Sequence, residues 1–344
     1  MKNKLLYFNL AINDTDTSLG FSIKWIETIS KNFDQVDVVT LKKVTDTKFP
    51  EHVSVYGPNE EAGRFSKYFT LFKLVKKLTK ENSYTRCFSH MSPISIFVSS
   101  FHIIRYKIKT TLWFTHPGPN FGIKKIILFV SMLISEYVVT ASKSSFPFKN
   151  KKVKVIGHAI DLENFNFNRE TFEIRKFLIL SRISKSKDIE TAIDSFLLSN
   201  FKNYQLDIIG GPLNKKDEQY LNSLKNKYRN KNINFLGKFK HKNLPKILSE
   251  YDVHFNCAKD GFFDKSVLET LSFEIVNFYK NKDFNYIFKN DNFFNFQNSD
   301  ELVLKLNELN KFKNEEILYV LKNSKKQLEN NSLKTLNNRL ENYL

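Results

Sequence analysis

Short apolar runs alternate with longer amphipathic segments along the whole chain. In the first half, apolar runs predict strands near 5–10, 36–41, 53–56 and 86–89 and from 111 and 137 onward. In the second half, predicted strands near 177–180, 206–209, 233–236 and 252–256 alternate with helical patterns near 188–199, 215–229 and 242–250. This rhythm predicts α/β domains whose parallel sheets are covered by helices on both faces.

A polar, Asn-rich stretch ending at Arg175 separates the two halves, and the pattern after residue 300 is helical. A chain of 344 residues is long enough for two domains with sizeable cores. We therefore predict a first lobe over 1–155, a second lobe over 156–325 and a terminal helix over 326–344.

The second half carries residues suited to a nucleotide diphosphate. Arg182 and Lys187 follow its first predicted strand, Gly210 and Gly211 end the next one, and Glu269 lies in a predicted helix. Cations bind phosphates, glycines allow close approach of the backbone, and a carboxylate accepts hydrogen bonds from ribose hydroxyls. The alternative for the two cations is an ordinary solvated loop.

The first half offers weaker candidates at the ends of predicted strands. Gly20 precedes a predicted helix, whose free N–H groups attract anions. His90 and His116 follow strands, at the sheet edge where open α/β sheets bind ligands. Each also has a structural interpretation, as a turn glycine or as a packed histidine.

A formal net charge of +18 points to anionic partners or to a solvated basic surface. The segment 65–78 has aromatic residues at helical spacing, interleaved with Lys67, Lys73, Lys76, Lys77 and Lys80. It predicts a basic amphipathic helix, which either covers the sheet with a solvated lysine face or docks on anionic lipid. A nucleic-acid motif is absent, so we do not interpret the charge as DNA binding.

The cysteines, the longest apolar run and the N-terminal residues indicate the compartment and the metal content that we expect. Cys87 and Cys257 lack the spacing of a metal site and favour a reducing compartment. The longest apolar run, 126–134, is about half the length of a membrane span. A signal peptide is not evident, so we expect a cytoplasmic protein, with peripheral attachment to the inner face of the membrane as an extension.

Several motifs over about residues 5–270 resemble family-4 glycosyltransferases of the GT-B fold. That family has an Arg, four residues and a Lys after the first strand of its second lobe, as in Arg182 and Lys187. A subgroup linked to capsule and exopolysaccharide synthesis has Asp-Lys-x-x-Leu-Glu, which matches 264–269. The subgroup also has a Leu-Trp-x-x-His run, here 112–116, and an Ile-Gly-His-Gly-Ile-Asp run, here 156–161 with Ala159 in place of the second Gly.

The resemblance implies two Rossmann-like lobes with parallel sheets facing across a cleft, and a terminal helix packing back on the first lobe. It implies a retaining, metal-independent enzyme that moves a sugar from a nucleotide-sugar to a saccharide or lipid-linked acceptor in surface polysaccharide synthesis. The donor is then a substrate, and no cofactor or metal is expected.

The resemblance also implies roles for individual residues. Arg182 and Lys187 would stabilise the leaving diphosphate and Glu269 would bind ribose, while Asp264 and Lys265 would touch sugar or phosphate. His116 would reach the donor sugar, with His90 as a weaker candidate. The binding set implied for the donor comprises Gly20, Arg182, Lys187, Gly210, Gly211, Asp264, Lys265 and Glu269.

Two departures from the family pattern bear on activity. Gly261 stands where the common motif has a Glu, and Glu274 stands where the family has a Gly after the motif helix. Two alternatives therefore remain open: a nucleotide-sugar-binding subunit without turnover, and a sugar-nucleotide epimerase on the same two-lobed fold.

Overall fold

The computed structural model describes residues 3–12, 21–42, 47–58, 63–288 and 293–344. The chain divides into two compact units, 1–159 with 333–344, and 160–332. These breaks fall a few residues beyond the predicted bounds at 155 and 325. Each unit contains its own parallel sheet, so the prediction of two Rossmann-like α/β lobes is confirmed.

In the first unit, the described residues form a seven-stranded sheet of order β3-β2-β1-β4-β5-β6-β7. Its strands are β1 (Lys4–Asn9), β2 (Gln35–Thr40), β3 (Val53–Tyr56), β4 (Arg86–His90), β5 (Lys109–Trp113), β6 (Tyr137–Thr140) and β7 (Val153–Val155). Its helices are α1 (Phe21–Ser30), α2 (Arg64–Glu81), α3 (Pro93–Arg105) and α4 (Ile123–Ile134), with a closing helix, Leu336–Leu340.

Continuous apolar runs place these strands in the interior. Leu5, Leu6, Tyr7 and Phe8 of β1 are all buried, as expected for a central strand covered on both faces. One cluster joins residues of this sheet to the inner sides of α2, α3 and α4. Those three helices therefore cover the same face.

The closing residues belong to the first unit. The Asn337 side chain donates to the backbone oxygen of Thr28 at 2.8 Å, and Arg339 donates to that of His158 at 2.8 Å. The segment predicted as one helix, 326–344, contains a 3₁₀ turn at Lys326–Asn331 and a separate helix at Leu336–Leu340. Consecutive Asn330, Asn331 and Ser332 explain the interruption, because these side chains compete for helical backbone bonds.

In the second unit, the described residues form a five-stranded sheet of order β10-β9-β8-β11-β12. Its strands are β8 (Lys176–Leu180), β9 (Gln205–Ile209), β10 (Ile233–Gly237), β11 (Val253–Asn256) and β12 (Val276–Tyr279). Its helices are α5 (Ile189–Leu198), α6 (Lys215–Lys227), α7 (Pro245–Leu248), α8 (Lys265–Leu271), α9 (Ser299–Leu309) and α10 (Asn314–Lys325), so the closing helix of the chain is α11.

The helix predicted over 242–250 is shorter in the structure. A 3₁₀ turn at His241–Asn243 comes first, and α7 then begins at Pro245. Proline fits the first turn of a helix but not its interior, so Pro245 starts α7 and prevents a continuous helix from 242.

Candidate functional site

The candidate site lies at the carboxyl ends of β8, β9 and β11 in the second unit. The strand order runs outward from β8 to β10 on one side and continues with β11 on the other. Open α/β sheets bind ligands beside such a reversal, because the two neighbouring loops diverge there. The loop after β8 carries Arg182 and Lys187, and the loop after β11 leads into α8 with Glu269.

Gly210 and Gly211 bring the loops after β8 and β9 together. A Cβ atom on Gly210 would lie 1.7 Å from the backbone oxygen of Ser181, and its φ of +147° is rare for other residues. The Ile183 backbone N–H donates to the oxygen of Gly211 at 3.1 Å. Glycine is therefore required at 210 for the approach of the Arg182 loop.

Arg182 presents an available cation. Its side chain is partly exposed, and within the described residues its guanidinium has no hydrogen bond or ion pair. A planar guanidinium binds phosphate oxygens in a bidentate manner. The position and the free donors both suit an anion at this sheet edge.

Lys187 is buried and paired, unlike Arg182. It lies in a 3₁₀ turn, Lys185–Lys187, with 6% of its surface exposed. Its ammonium forms an ion pair with Asp264, whose other oxygen accepts from Asn256 at 3.0 Å. Asp264 thus connects the β8 loop to the start of α8 and fixes the lysine in place.

Glu269 is the most enclosed member of the site, with 2% of its surface exposed. Its Oε1 atom forms an ion pair with Lys265 at 3.2 Å and contacts His241 Nε2 at 2.8 Å. Burial by itself would raise the pKa of Glu269, but Lys265 and His241 outweigh it and hold the pKa at about 2. The carboxylate is ionised at neutral pH, and in the described residues Oε2 has no hydrogen bond.

His241 is a site residue that the sequence did not indicate. It lies in the turn after β10, and its ring packs on Phe165 with centroids 4.9 Å apart. It directly precedes the helix predicted over 242–250, and no motif or spacing in the sequence singled it out. Only the strand order places this turn beside α8.

Glu274 does not crowd the end of the motif helix. It adopts a φ of +55°, the left-handed conformation that glycine usually takes after a helix. Its buried carboxylate accepts from the Arg169 backbone N–H at 2.8 Å and from Lys325 at 3.5 Å. The glutamate is thus accommodated by bonds that a glycine cannot make.

Gly261 occupies a turn with a φ of +90°, and its N–H donates to Asp283 at 3.3 Å. A side chain would be strained in this conformation. The backbone therefore accounts for the absence of a glutamate here.

The three candidate site residues of the first unit are His90, His116 and Gly20, and the structure describes the two histidines. His90 is buried against Trp25 and Trp113, and burial, then the His158 ring, lower its pKa to about 3. It is therefore a neutral histidine of the core. His116 follows β5 and is half-buried beside Phe114, while Gly20 lies outside the described residues.

The described residues contain no group of three or more His, Cys, Asp or Glu side chains arranged to hold a metal ion. In the same part of the chain, no helix combines the length and apolar character needed to cross a bilayer.

The sequence of the second unit matches a known protein family. Residues 163–327 match the family described as glycosyl transferases group 1. No curated protein matches the sequence.

Solved structures of similar fold cover nearly the whole chain. Anabaena Alr3699/HepE, in complex with UDP and glucose, has a TM-score of 0.75 at 13% identity, covering 99% of this chain and 98% of that one. Sucrose-phosphate synthase from Thermosynechococcus elongatus has a TM-score of 0.79 at 13% identity, with coverage of 99% and 98%. WaaG, a glycosyltransferase involved in lipopolysaccharide biosynthesis, has a TM-score of 0.68 at 9% identity, with coverage of 97% and 98%. Both units thus have the folds of GT-B glycosyltransferases, and residues 163–327 of the second unit match the glycosyl transferases group 1 family.

Proposed function

We propose that the chain is a retaining, metal-independent family-4 glycosyltransferase that uses a nucleotide-sugar donor. Its acceptor would be a saccharide or a lipid-linked saccharide in capsule or exopolysaccharide synthesis. The observation that carries this proposal is the cation and carboxylate set at the β8–β11 reversal, inside the group 1 domain. Anabaena Alr3699/HepE, which has a similar fold, is solved in complex with UDP and with UDP-glucose, which makes UDP-sugars the first donors to test.

The two cations would act on the leaving group. When the glycosidic bond breaks, negative charge develops on the nucleoside diphosphate, and donors already in place stabilise it with little reorganisation. Arg182 supplies free guanidinium donors, and the ion pair with Asp264 holds Lys187 in one position. One such preorganised donor typically lowers the barrier by about 3 kcal/mol.

Glu269 would fix the donor through its ribose. With Oε1 bonded to Lys265 and His241, Oε2 retains acceptor capacity for hydroxyl groups. A carboxylate with a pKa of about 2 stays an acceptor throughout the physiological pH range. Lys265 and His241 then act as positioning residues, because they reach the ribose only through Glu269.

His116 and Gly20 are proposed members of the site on the resemblance alone. His116 would contact the donor sugar, and Gly20 would approach the donor phosphates. His116→Ala is therefore expected to lower turnover while leaving the affinity for UDP nearly unchanged.

A binding subunit without turnover is a second candidate, favoured by the Gly261 turn. The common motif has a glutamate there, and the backbone of this chain disfavours one. Asp264 could replace that carboxylate, since it is partly exposed at the start of α8.

Binding and donor consumption together test the proposal. The wild type should bind UDP and consume a UDP-sugar, whereas Arg182→Ala should lower turnover about a hundredfold or more. Lys185→Ala is the matched control, because Lys185 is an exposed cation of the same loop without a proposed role. Glu269→Gln should weaken UDP binding about tenfold, since it removes a charged acceptor.

The outcomes separate the candidates. UDP binding without consumption of any nucleotide-sugar, with acceptor extracts present, would favour the binding subunit. If neither UDP nor any other nucleoside diphosphate binds, the nucleotide-sugar proposal is wrong. Product analysis would identify an epimerase by an altered sugar on an intact nucleotide.

A further inference from the structure

Three neighbouring helices of the first unit expose apolar side chains on their outer sides. The inner sides of α2, α3 and α4 pack into the sheet through residues such as Val75, Ile103 and Met132. We name the opposite side the outer helix face; it includes Phe65, Phe69, Phe101, Ile104, Ile126 and Phe129. Phe101 and Ile104 are 62% and 64% exposed, so the described part of the fold leaves these groups in solvent.

The exposed side chains follow single faces of each helix. Phe65 and Phe69 are four positions apart on α2, Phe101 and Ile104 three apart on α3, and Ile126 and Phe129 three apart on α4. Residues at this spacing are neighbours on a helix surface.

Cross-helix contacts join the three faces. The ring of Phe72 on α2 lies 5.0 Å from that of His102 on α3, which also contacts Phe101. Ser131 of α4 donates to the backbone oxygen of Pro93 on α3 at 2.7 Å. The three helices therefore lie side by side on the sheet, and their exposed apolar side chains project from one layer. Exposed apolar surfaces of this kind mark interaction sites.

The charge on the same helices is almost entirely positive. They contain nine Lys and Arg residues and one acidic residue, Glu81. Exposed Lys73 and Lys76 continue the stripe of Phe65 and Phe69 along α2, and the Lys73 ammonium lies 4.3 Å from the ring centre of Phe69. Lys124 and Lys125 stand beside Ile126 at the start of α4.

We propose that the outer helix face binds the surface of an anionic lipid bilayer. Aromatic and aliphatic side chains would enter the boundary between headgroups and acyl chains, while the lysines meet anionic headgroups. The charge argues against a second copy of the chain as the occupant, because pairing this face with itself would bring like charges together.

The sequence alone predicted contact with anionic lipid only through the basic helix that is now α2. The outer sides of α3 and α4 add an apolar component, so binding should require both lipid charge and apolar contact. It does not rest on the donor site, because none of the proposed donor-binding residues lies on these helices.

Vesicle flotation tests the proposal with the full chain. The wild type should float with vesicles of phosphatidylcholine and phosphatidylglycerol, bind at least about tenfold less to pure phosphatidylcholine, and be released by high salt. The double variant Phe101→Ser, Ile126→Ser should lower the partition coefficient about tenfold or more. Lys73→Glu, Lys76→Glu, Lys77→Glu should lower it at least as much.

Matched controls come from exposed positions of the second unit. Leu198→Ser with Tyr319→Ser, and Lys215→Glu, Lys216→Glu, Lys225→Glu, change similar side chains there and should leave flotation unchanged. Unaltered circular dichroism of the surface variants shows that folding is retained.

Three results would overturn the proposal: equal binding to neutral and anionic vesicles, equal losses in the controls, or absence of flotation. Self-association that Phe101→Ser, Ile126→Ser abolishes, without flotation, would assign the face to a contact between copies. Failure of UDP binding with intact flotation would contradict the proposed function alone.

Discussion

Two groups of buried charges in the second unit differ in how much of their bonding capacity is already used. In the first group, Arg169 forms a 2.8 Å ion pair with Asp252, whose second oxygen accepts from two backbone N–H groups. Glu274 accepts from the Arg169 N–H and from Lys325. Each carboxylate oxygen of this group thus has a partner within the chain.

The second group is the candidate site, and its bonding is incomplete. Lys187 is paired with Asp264, but the Arg182 guanidinium has no partner among the described residues. Within the same residues, both ionic contacts of Glu269 involve Oε1. Burial and ion pairing are therefore common to both groups and do not mark function. What distinguishes the site is that Arg182 can still bind an anion and Glu269 can still accept from hydroxyl groups, both at the reversal of strand order.

The largest effect should come from breaking the first group. Arg169→Met removes the cation and leaves Asp252 buried with its charge, which should cost about 3–5 kcal/mol of unfolding free energy. Both tryptophans lie in the first unit, so hydrogen exchange of peptides from 160–332 is the suitable measurement. Exposed Arg229→Met is the control; equal protection in both variants would show that the Arg169 pair contributes little.

Breaking the second group should affect catalysis more than folding. Lys187→Ala should lower turnover about a hundredfold, because it removes charge that stabilises the leaving diphosphate. Its partner Asp264 is partly exposed and can be hydrated. The free energy of unfolding measured by hydrogen exchange should therefore fall by only about 1 kcal/mol. Asp264→Asn, which keeps the cation but loosens it, should give an intermediate rate; a rate below that of Lys187→Ala would make Asp264 the more important group.

The pH dependence of stability should reveal the charged state of Glu269. Its folded pKa of about 2 is below the ordinary value, so the ionised group stabilises the fold above about pH 4.5. That contribution, about 3 kcal/mol at most, should decline as the pH falls from about 4.5 towards 2. Relative to Glu269→Gln, the wild type should lose its advantage in this window; a constant difference would contradict the assignment.

Much of the fold and several residues of the candidate site could be predicted from the sequence, because they depend on local patterns. The apolar runs predicted β1 to β6 of the first sheet and β8 to β11 of the second, but not β7 or β12. The order of Arg182, Lys187, Gly210 and Glu269 along the chain predicted a set at one sheet edge. Parallel strands bring their carboxyl ends to the same edge, so sequence order sufficed.

The remaining features depend on contacts between distant segments. His241 reaches Glu269 across 28 positions, and Arg169 reaches Asp252 across 83. Neither contact leaves a periodic or spacing signal in a single sequence. The same reason applies to Glu274, whose partners Arg169 and Lys325 are distant in the sequence.

The smallest effect should come from restoring the family's glycine at Glu274. Glu274→Gly relieves a left-handed backbone at a gain of about 1 kcal/mol. It also leaves the buried N–H of Arg169 without an acceptor, which costs about 1–3 kcal/mol. We expect a net loss of about 1 kcal/mol in the free energy of unfolding, measured by hydrogen exchange. The loss should be smaller for Glu274→Gln, which keeps an acceptor oxygen. UDP affinity should not change in either variant, because Glu274 belongs to the first group. A change in affinity would place Glu274 in the site. A glycine variant that is more stable than the wild type would show that backbone strain outweighs the bond to the Arg169 N–H.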